Sequence, residues 1–301
     1  MAITFIDSAT VSSASSTNLT LDLSSVTFQA NDVGIVFVKQ SQNTAAGIWD
    51  DDGGDGNDWI QLDYRRSTSG RDQESAIYYK VLGSTESNPT FTWNDSASGT
   101  PMSATVLIYR GVDTLDPIQT SSYRFTGNNA APPANAVTIT NADNAVIALH
   151  GVTHDHITAP GAPTGFTIRS QVWTSGGGVD HINLFTADLL TGAATGSYTA
   201  PNWGHSVSSS TPESHYYVVV LNEQLPVGIT GGPTEFEWGD TITLTGFGFD
   251  FFQGTGTVEA SDTSDFSGTV VTQSIGADPT DWWDTFLNVA TVQSTLPNND
   301  F

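Results

Sequence analysis

Cysteine is absent from the 301 residues. Neither a disulfide nor a thiolate metal site can hold this fold, and the redox compartment leaves no trace in the sequence. Positive charge is scarce: eight Lys and Arg stand against 32 Asp and Glu, a formal charge of −24. Beyond Arg169 the chain carries acids and no further Lys or Arg. A surface of that sign repels phosphate backbones, which excludes nucleic acid as a partner. No run approaches the roughly 20 apolar residues of a helical membrane span. The opening MAITFIDSATVSS runs straight into strand-like sequence rather than a basic-then-apolar leader. No membrane insertion is expected. The self-repulsion of so many acids is costly at low ionic strength and is screened within a few ångströms at about 0.5 M salt. Two settings fit the charge equally, a high-salt or marine one and a merely acidic extracellular or particle surface.

Helical periodicity is also nearly missing. What is present is a series of short β-branched and aromatic runs: Asn18–Leu23, Gly34–Lys39, Trp59–Tyr64, Ala76–Leu82, Thr90–Trp93 and Ala104–Tyr109. Clusters of Gly, Ser, Asn, Asp and Pro separate them. Short strands at such spacing predict an all-β sandwich or barrel.

The order of segments then repeats. NDVGIVFVKQS at Asn31–Ser41 is echoed by ADNAVIALHGV at Ala142–Val152. The block Glu74–Asn94 is echoed by Asp180–Trp203, and Met102–Val112 by Ser214–Glu223. The offset stays near 110 residues, so an internal duplication is expected. The expected domains are residues 1–113, 114–224 and 225–301, the first two being a duplicated β-sandwich or jelly roll. Both one large jelly roll and two small sandwiches fit the spacing. The connection from Asp113 begins DTLDP, a turn rather than a flexible linker, and favours close association of the halves.

Proline and glycine punctuate Leu225–Pro233, and the duplicated pattern stops there. PTEFEWGDTITLTGFGF at Pro233–Phe249 resembles the opening of the IPT/TIG group of immunoglobulin-like domains, and Trp283, Asp284 and Leu287–Val292 resemble a later strand of that group. That resemblance implies an immunoglobulin-like β-sandwich over 225–301. In the first part, AIYYKVL, then TFTW, then ATVLIYRGVDTLDPI resembles β-sandwich modules of phage virion proteins and of secreted bacterial surface proteins. It implies a structural or glycan-facing role at a particle or cell surface.

Candidate chemistry is sparse. DDDGGDGND at Asp50–Asp58 offers Asp50, Asp52, Asp55 and Asp58 as calcium ligands, with glycines for the turn, although no Glu closes an EF-hand spacing. The competing reading is a solvated loop, and the matching place in the second repeat, ITAPGAPTGF, has no acids. His154 and His156 lie two apart and share a face if extended, but zinc needs two further ligands that the sequence does not nominate. His150, at a strand end, reads as a buried structural histidine. No Gly-x-Ser-x-Gly elbow, His-Glu-x-x-His pair or phosphate-binding glycine loop before a helix occurs, so no enzyme is expected. Among the tryptophans, Trp49 and Trp59 flank the acidic run and Trp282 and Trp283 are adjacent. These four are the candidate interface or sugar-stacking residues, whereas Trp93 and Trp203 occupy corresponding points of the repeats and read as packing.

The expectation is a non-enzymatic structural protein on a phage virion surface, a head decoration or a tail-fibre or adsorption component. Other virion proteins would be its partners, with no cofactor required. A homo-oligomer, a trimer by family analogy, is expected with it. The alternative is a calcium-assisted carbohydrate-binding module or adhesin that meets a host glycan.

Overall fold

A computed structural model describes residues 2–41, 48–50, 59–67, 73–93, 100–126, 135–153, 161–174, 181–203 and 213–224 of a first unit, Met1–Gln224. Of a second unit, Leu225–Phe301, it describes six strands. Side chains at 48–50, 93 and 213 and throughout the second unit lie outside that description.

The fold is all-β. In the first unit the strands are β1 (Thr4–Ser16), β2 (Asn18–Thr20), β3 (Val33–Gln40), β4 (Ile48–Asp50), β5 (Ile60–Ser67), β6 (Gln73–Val81), β7 (Thr90–Trp93) and β8 (Thr100–Arg110). They are followed by β9 (Ile118–Thr126), β10 (Val137–Ile139), β11 (Ala145–Thr153), β12 (Thr167–Trp173), β13 (Ile182–Leu189), β14 (Gly196–Tyr198) and β15 (Glu213–Leu221). One antiparallel sheet runs β1-β8-β3-β6-β5 and another β9-β15-β11-β13-β12. The two orders are the same when β1, β8, β3, β6 and β5 are matched to β9, β15, β11, β13 and β12. The small pairs β2-β7 and β10-β14 match as well, and β4 is an extra strand of the first repeat.

Irregularities match too. In both repeats the outer strand carries a bulge at the same register point: Leu62, between the pairs Gln61↔Tyr78 and Asp63↔Ile77, and Arg169, between Ile168↔Ala187 and Ser170↔Thr186. A second bulge places Ile6 between Phe5↔Tyr109 and Asp7↔Ile108, and Gln119 between Ile118↔Leu221 and Thr120↔Val220. A bulge re-aims the chain and tightens its twist, so a duplicated sheet needs it twice.

The two large sheets stack face to face. Between them lies a core drawn from both repeats, including Val33, Ile35, Phe37, Leu107 and Tyr109 from the first and Ile147, Leu149, Leu184, Tyr217 and Val219 from the second. Each sheet buries its other face too. Val36, Val38, Phe91 and Val106 pack under β2 and β7, and Val146, Phe185, Trp203 and Val218 under β10 and β14. Central strands covered on both sides need apolar residues at every position rather than every second one. This is why GIVFV and AVIAL are continuous, and why every residue of β3 and β11 is buried. Each such aliphatic side chain contributes about 1.5–3 kcal/mol of burial.

Trp59 and Phe166, just before β5 and β12, cap the two outer cores at equivalent positions, 5 % and 8 % exposed. The larger ring needs a smaller neighbour. A Cβ on Gly34 would stand 2.6 Å from the Trp59 indole, and the position equivalent to Gly34 in the second repeat is Val146. The link between repeats is pinned by backbone bonds from Asp113 N–H to the Asn222 carbonyl and from Gln224 N–H to the Gly111 carbonyl. Gly111 takes φ 78°, a left-handed conformation that glycine tolerates. The Asp113 side chain accepts from Leu115 N–H, closing the turn expected of DTLDP.

The second unit contains β16 (Gly228–Gly231), β17 (Ile242–Phe247), β18 (Thr257–Ser261), β19 (Val270–Ser274), β20 (Trp282–Trp283) and β21 (Phe286–Val289). One antiparallel sheet runs β16-β17-β21-β20, and β18 pairs with β19.

Candidate functional site

Of the calcium candidates, Asp50 closes β4, where its backbone lies opposite Phe91. Asp52, Asp55 and Asp58 lie outside the described residues, as do His154 and His156. Among the described residues no three His, Asp or Glu side chains come together as a metal site. The backbone of Trp49 pairs with Thr92, and those of Trp282 and Trp283 with Leu287 and Phe286; their side chains are outside the description.

Trp59 corrects an expectation. It is a core residue, sealed against Gly34 and Leu82, and offers no face to a sugar or a partner. Its neighbourhood of acids pointed outward; the outer core it caps points inward. Trp203 packs as expected, 2 % exposed. His150, 1 % exposed, sits among the rings of Trp203, Phe185 and Tyr216 at 5.8, 6.1 and 5.9 Å between centroids.

The structure gathers chemically capable side chains at one end of the layer between the large sheets. Alternation along β3 sends Val33, Ile35 and Phe37 inward, and therefore Lys39 as well. Lys39 donates to Gln73 Oε1, which also accepts from Thr153 Oγ1 at 2.9 Å across the sheets. The Lys39 stem lies over Gly151, where a Cβ would come within 2.6 Å of its Cδ. Beside it, Ser75 Oγ bonds His215 Nδ1 and, at 2.7 Å, the Tyr217 hydroxyl. Burial, then the Lys39 charge, push the His215 imidazole well below its ordinary pKa, so the ring is neutral. The edges of Tyr123 and Phe125 close around it.

A Ser–His hydrogen bond is the first element of a nucleophilic site. Here both residues are fully buried and the hydroxyl is shared with Tyr217. A substrate would have to part the sheets to reach it. The arrangement instead ties one repeat to the other, as do Tyr109 with Asp188 at 3.1 Å and Thr105 with Ser170 at 2.8 Å. Asp188 also accepts from Arg169 Nε at 2.8 Å, and burial raises its pKa against those two partners.

Glu74 is the other buried acid with unusual chemistry. On the opposite face of β6 from Ser75, it accepts from Gln40 Nε2 at 2.5 Å, and Arg66 Nε stands 3.7 Å from its other oxygen. Burial pushes it up to about 7 despite hydrogen bonds from Tyr64 and Gln40 and the Arg66 charge. None of these interior groups was singled out from the sequence. The available signal was phase: Lys39, Ser75 and His215 fall on the inward positions of otherwise apolar strands.

At the surface, the exposed large apolar residues among those described are Ile60, Leu115, Ile168 and Trp173. Trp173, 55 % exposed, ends the outermost strand β12. The fold and these sites define an all-β protein of two stacked, interlocked repeats followed by a second β unit. Comparison of the chain with protein-family models, curated proteins and solved structures gives no match. The likenesses to virion β-sandwich modules and to IPT/TIG domains therefore rest on the motifs quoted for them.

Proposed function

We propose that the chain is a non-enzymatic structural protein displayed on the surface of a phage virion, as a head decoration or a tail-fibre or adsorption component. One observation carries this reading. Among the described residues, the chemically capable side chains gathered in the interior, Lys39, Ser75, His215, Glu74 and Asp188, are at most 1 % exposed and are spent on cohesion within and between the repeats. A unit locked through its centre resists local opening and proteolysis without disulfides. It presents to solvent an acidic surface that keeps particles apart and edge strands able to meet neighbours. Its mechanism is rigid display, with other virion proteins and further copies of itself, three in the favoured arrangement, as partners. Mass spectrometry of particles purified from the source tests this: the chain is expected in stoichiometric amount on intact particles. Recovery only as free protein in the medium would refute it.

A second reading has one observation in its favour. Trp173 gives a sugar ring an exposed face to stack on, which fits a carbohydrate-binding module or adhesin. Glycan-array binding that needs calcium and disappears in Trp173→Ala would favour that reading over the virion one.

A further inference from the structure

The few cations of this chain are unevenly placed. Lys39 and Lys80 are buried, and Arg110 and Arg169 are half-buried against Asp32 and Asp188 at 2.8 Å. Arg71 lies outside the described residues. The three exposed cations among those described are Arg65, Arg66 and Arg124. All three stand on the outermost strands β5 and β9 of the two large sheets. Arg65 and Arg66 are consecutive, and Arg124 follows Tyr123. The Arg65 guanidinium lies 4.9 Å over the Tyr123 ring and bridges the two edge strands. Arg66, paired opposite Glu74, and Arg124, next to the inward Tyr123, stand on the outer faces of the two sheets on either side of it, and the three make up an arginine edge. Arg65 is held there by Asp63 at 2.9 Å, while the neighbouring Arg66 faces Glu74.

An edge of this sign on a chain of net charge −24 has an obvious counterpart in the chain itself. From Leu225 to Phe301 there are eleven Asp and Glu and no Lys or Arg. We infer that the arginine edge is an attachment surface for a second copy of this chain, bound through the acidic 225–301 unit of that copy. Guanidinium forks pair carboxylates bidentately, and such contact pairs form inside the roughly 8 Å over which physiological salt screens the long-range repulsion between copies. An arginine edge meeting an acidic unit is a heterologous contact. It propagates to a ring, where the rotation closes, or to an open array. This deepens the assembly reading above. A chain that is found on particles yet uses another face would refute the arginine edge and leave that reading standing.

The test uses the full chain. Sedimentation velocity between about 1 and 100 µM, in ~0.15 M NaCl, is expected to show concentration-dependent association. Arg124→Glu and, separately, the milder Arg66→Gln are expected to weaken it at least tenfold, with unchanged β-type circular dichroism. An Arg124→Lys variant in an equal mixture of ¹⁴N and ¹⁵N copies is then treated with a carbodiimide, which couples amines to touching carboxylates. Mixed-isotope cross-links between position 124 and acids of 225–301 are expected. A monomer at every concentration, association unaffected by Arg124→Glu, or same-isotope cross-links alone would overturn the inference. A monomeric chain that retains a polygalacturonate probe through Arg124 would overturn it too and assign the edge to acidic glycans.

Discussion

Replacing Glu74 with glutamine should make the first unit more stable at neutral pH, although it removes a charge-assisted hydrogen bond. Glu74 is fully buried, and its carboxyl is raised from 4.5 to about 7 by burial. With the folded pKa above the unfolded one, the folded state binds the proton more tightly. The favourable contribution of the protonated form is complete below about 4.5 and is lost as pH rises through about 7. A shift of that size is worth about 3 kcal/mol, present as a penalty above pH ~7. Glutamine stays neutral at every pH and keeps an oxygen for the Gln40 bond, while its amide nitrogen stands towards Arg66, which costs part of the gain. Urea unfolding followed by tryptophan fluorescence, at pH 5 and pH 8 in about 0.5 M NaCl to screen the surface acids, isolates the effect as wild type minus Glu74→Gln. Near-equality within about 1 kcal/mol is expected at pH 5, and a variant more stable by about 2–3 kcal/mol at pH 8. A difference that does not change between the two pH values would show that Glu74 is ionised in the fold at both, and the argument from burial would fail.

Other perturbations test the remaining contacts. Trp203→Ala removes a buried indole packed on His150 and Phe185 and should cost about 3–5 kcal/mol in denaturant unfolding, whereas Trp173→Ala, at an exposed edge, should cost under about 0.5. Gly151→Ala forces a Cβ to within 2.6 Å of Lys39 Cδ and 2.9 Å of Phe37 Cζ, and about 1–3 kcal/mol of overpacking is expected; Gly161→Ala, with open space around it, is the control. A double-mutant cycle of Ser75→Ala and Tyr217→Phe should return a coupling of about 1 kcal/mol between the repeats, and additive effects would deny the tie. Thermal unfolding in calcium and in EDTA should coincide if Asp50, Asp52, Asp55 and Asp58 are a solvated loop, and separate if they bind the ion.

The sequence was most legible where one physical demand governs many residues. GIVFV and AVIAL announce strands, and their repetition at a fixed offset announces a duplicated sheet, because burial on both faces demands apolar residues throughout. It was least legible where polar residues build strand. β1, TFIDSATVSSASS, spans Thr4–Ser16, yet its serines and threonines give no alternation of apolar and polar; its place comes from β8, which it pairs along most of its length. Trp59 misled because the composition of its neighbours says nothing about which way its ring turns. The interior ties were hidden for a different reason. Ser75 lies 140 and 142 residues before His215 and Tyr217 and meets them only once one repeat is laid on the other.

What differs between the repeats is as informative as what they share. Asp32 of the first occupies the position of Asn144 in the second, and Arg110 that of Asn222. The first pair is a bidentate ion pair at 2.8 and 2.9 Å, the second an amide contact at 3.3 Å, with Asn144 also accepting from Glu223 N–H. Each satisfies the turn before its central strand, because Asp32 N–H and Asn144 N–H donate to carbonyls three residues earlier in the same way. The shared turn is closed by backbone alone; the side chains differ in use, the Asp32 carboxylate accepting from Gln29 N–H within the turn and the Asn144 amide oxygen from Glu223 N–H outside it. Bulges, turns and strand order are demands of backbone and both repeats meet them, while charges and ring sizes differ between the repeats, and Lys39 and Gly151 are unlike residues at equivalent positions that meet across them. Two identical repeats would have placed equal side chains against each other where β3 meets β11. A lysine facing a lysine there would be buried like charge, and a glycine facing a glycine would be a void. Lys39 over Gly151 avoids both, so divergence at this pair is a condition for stacking the repeats closely.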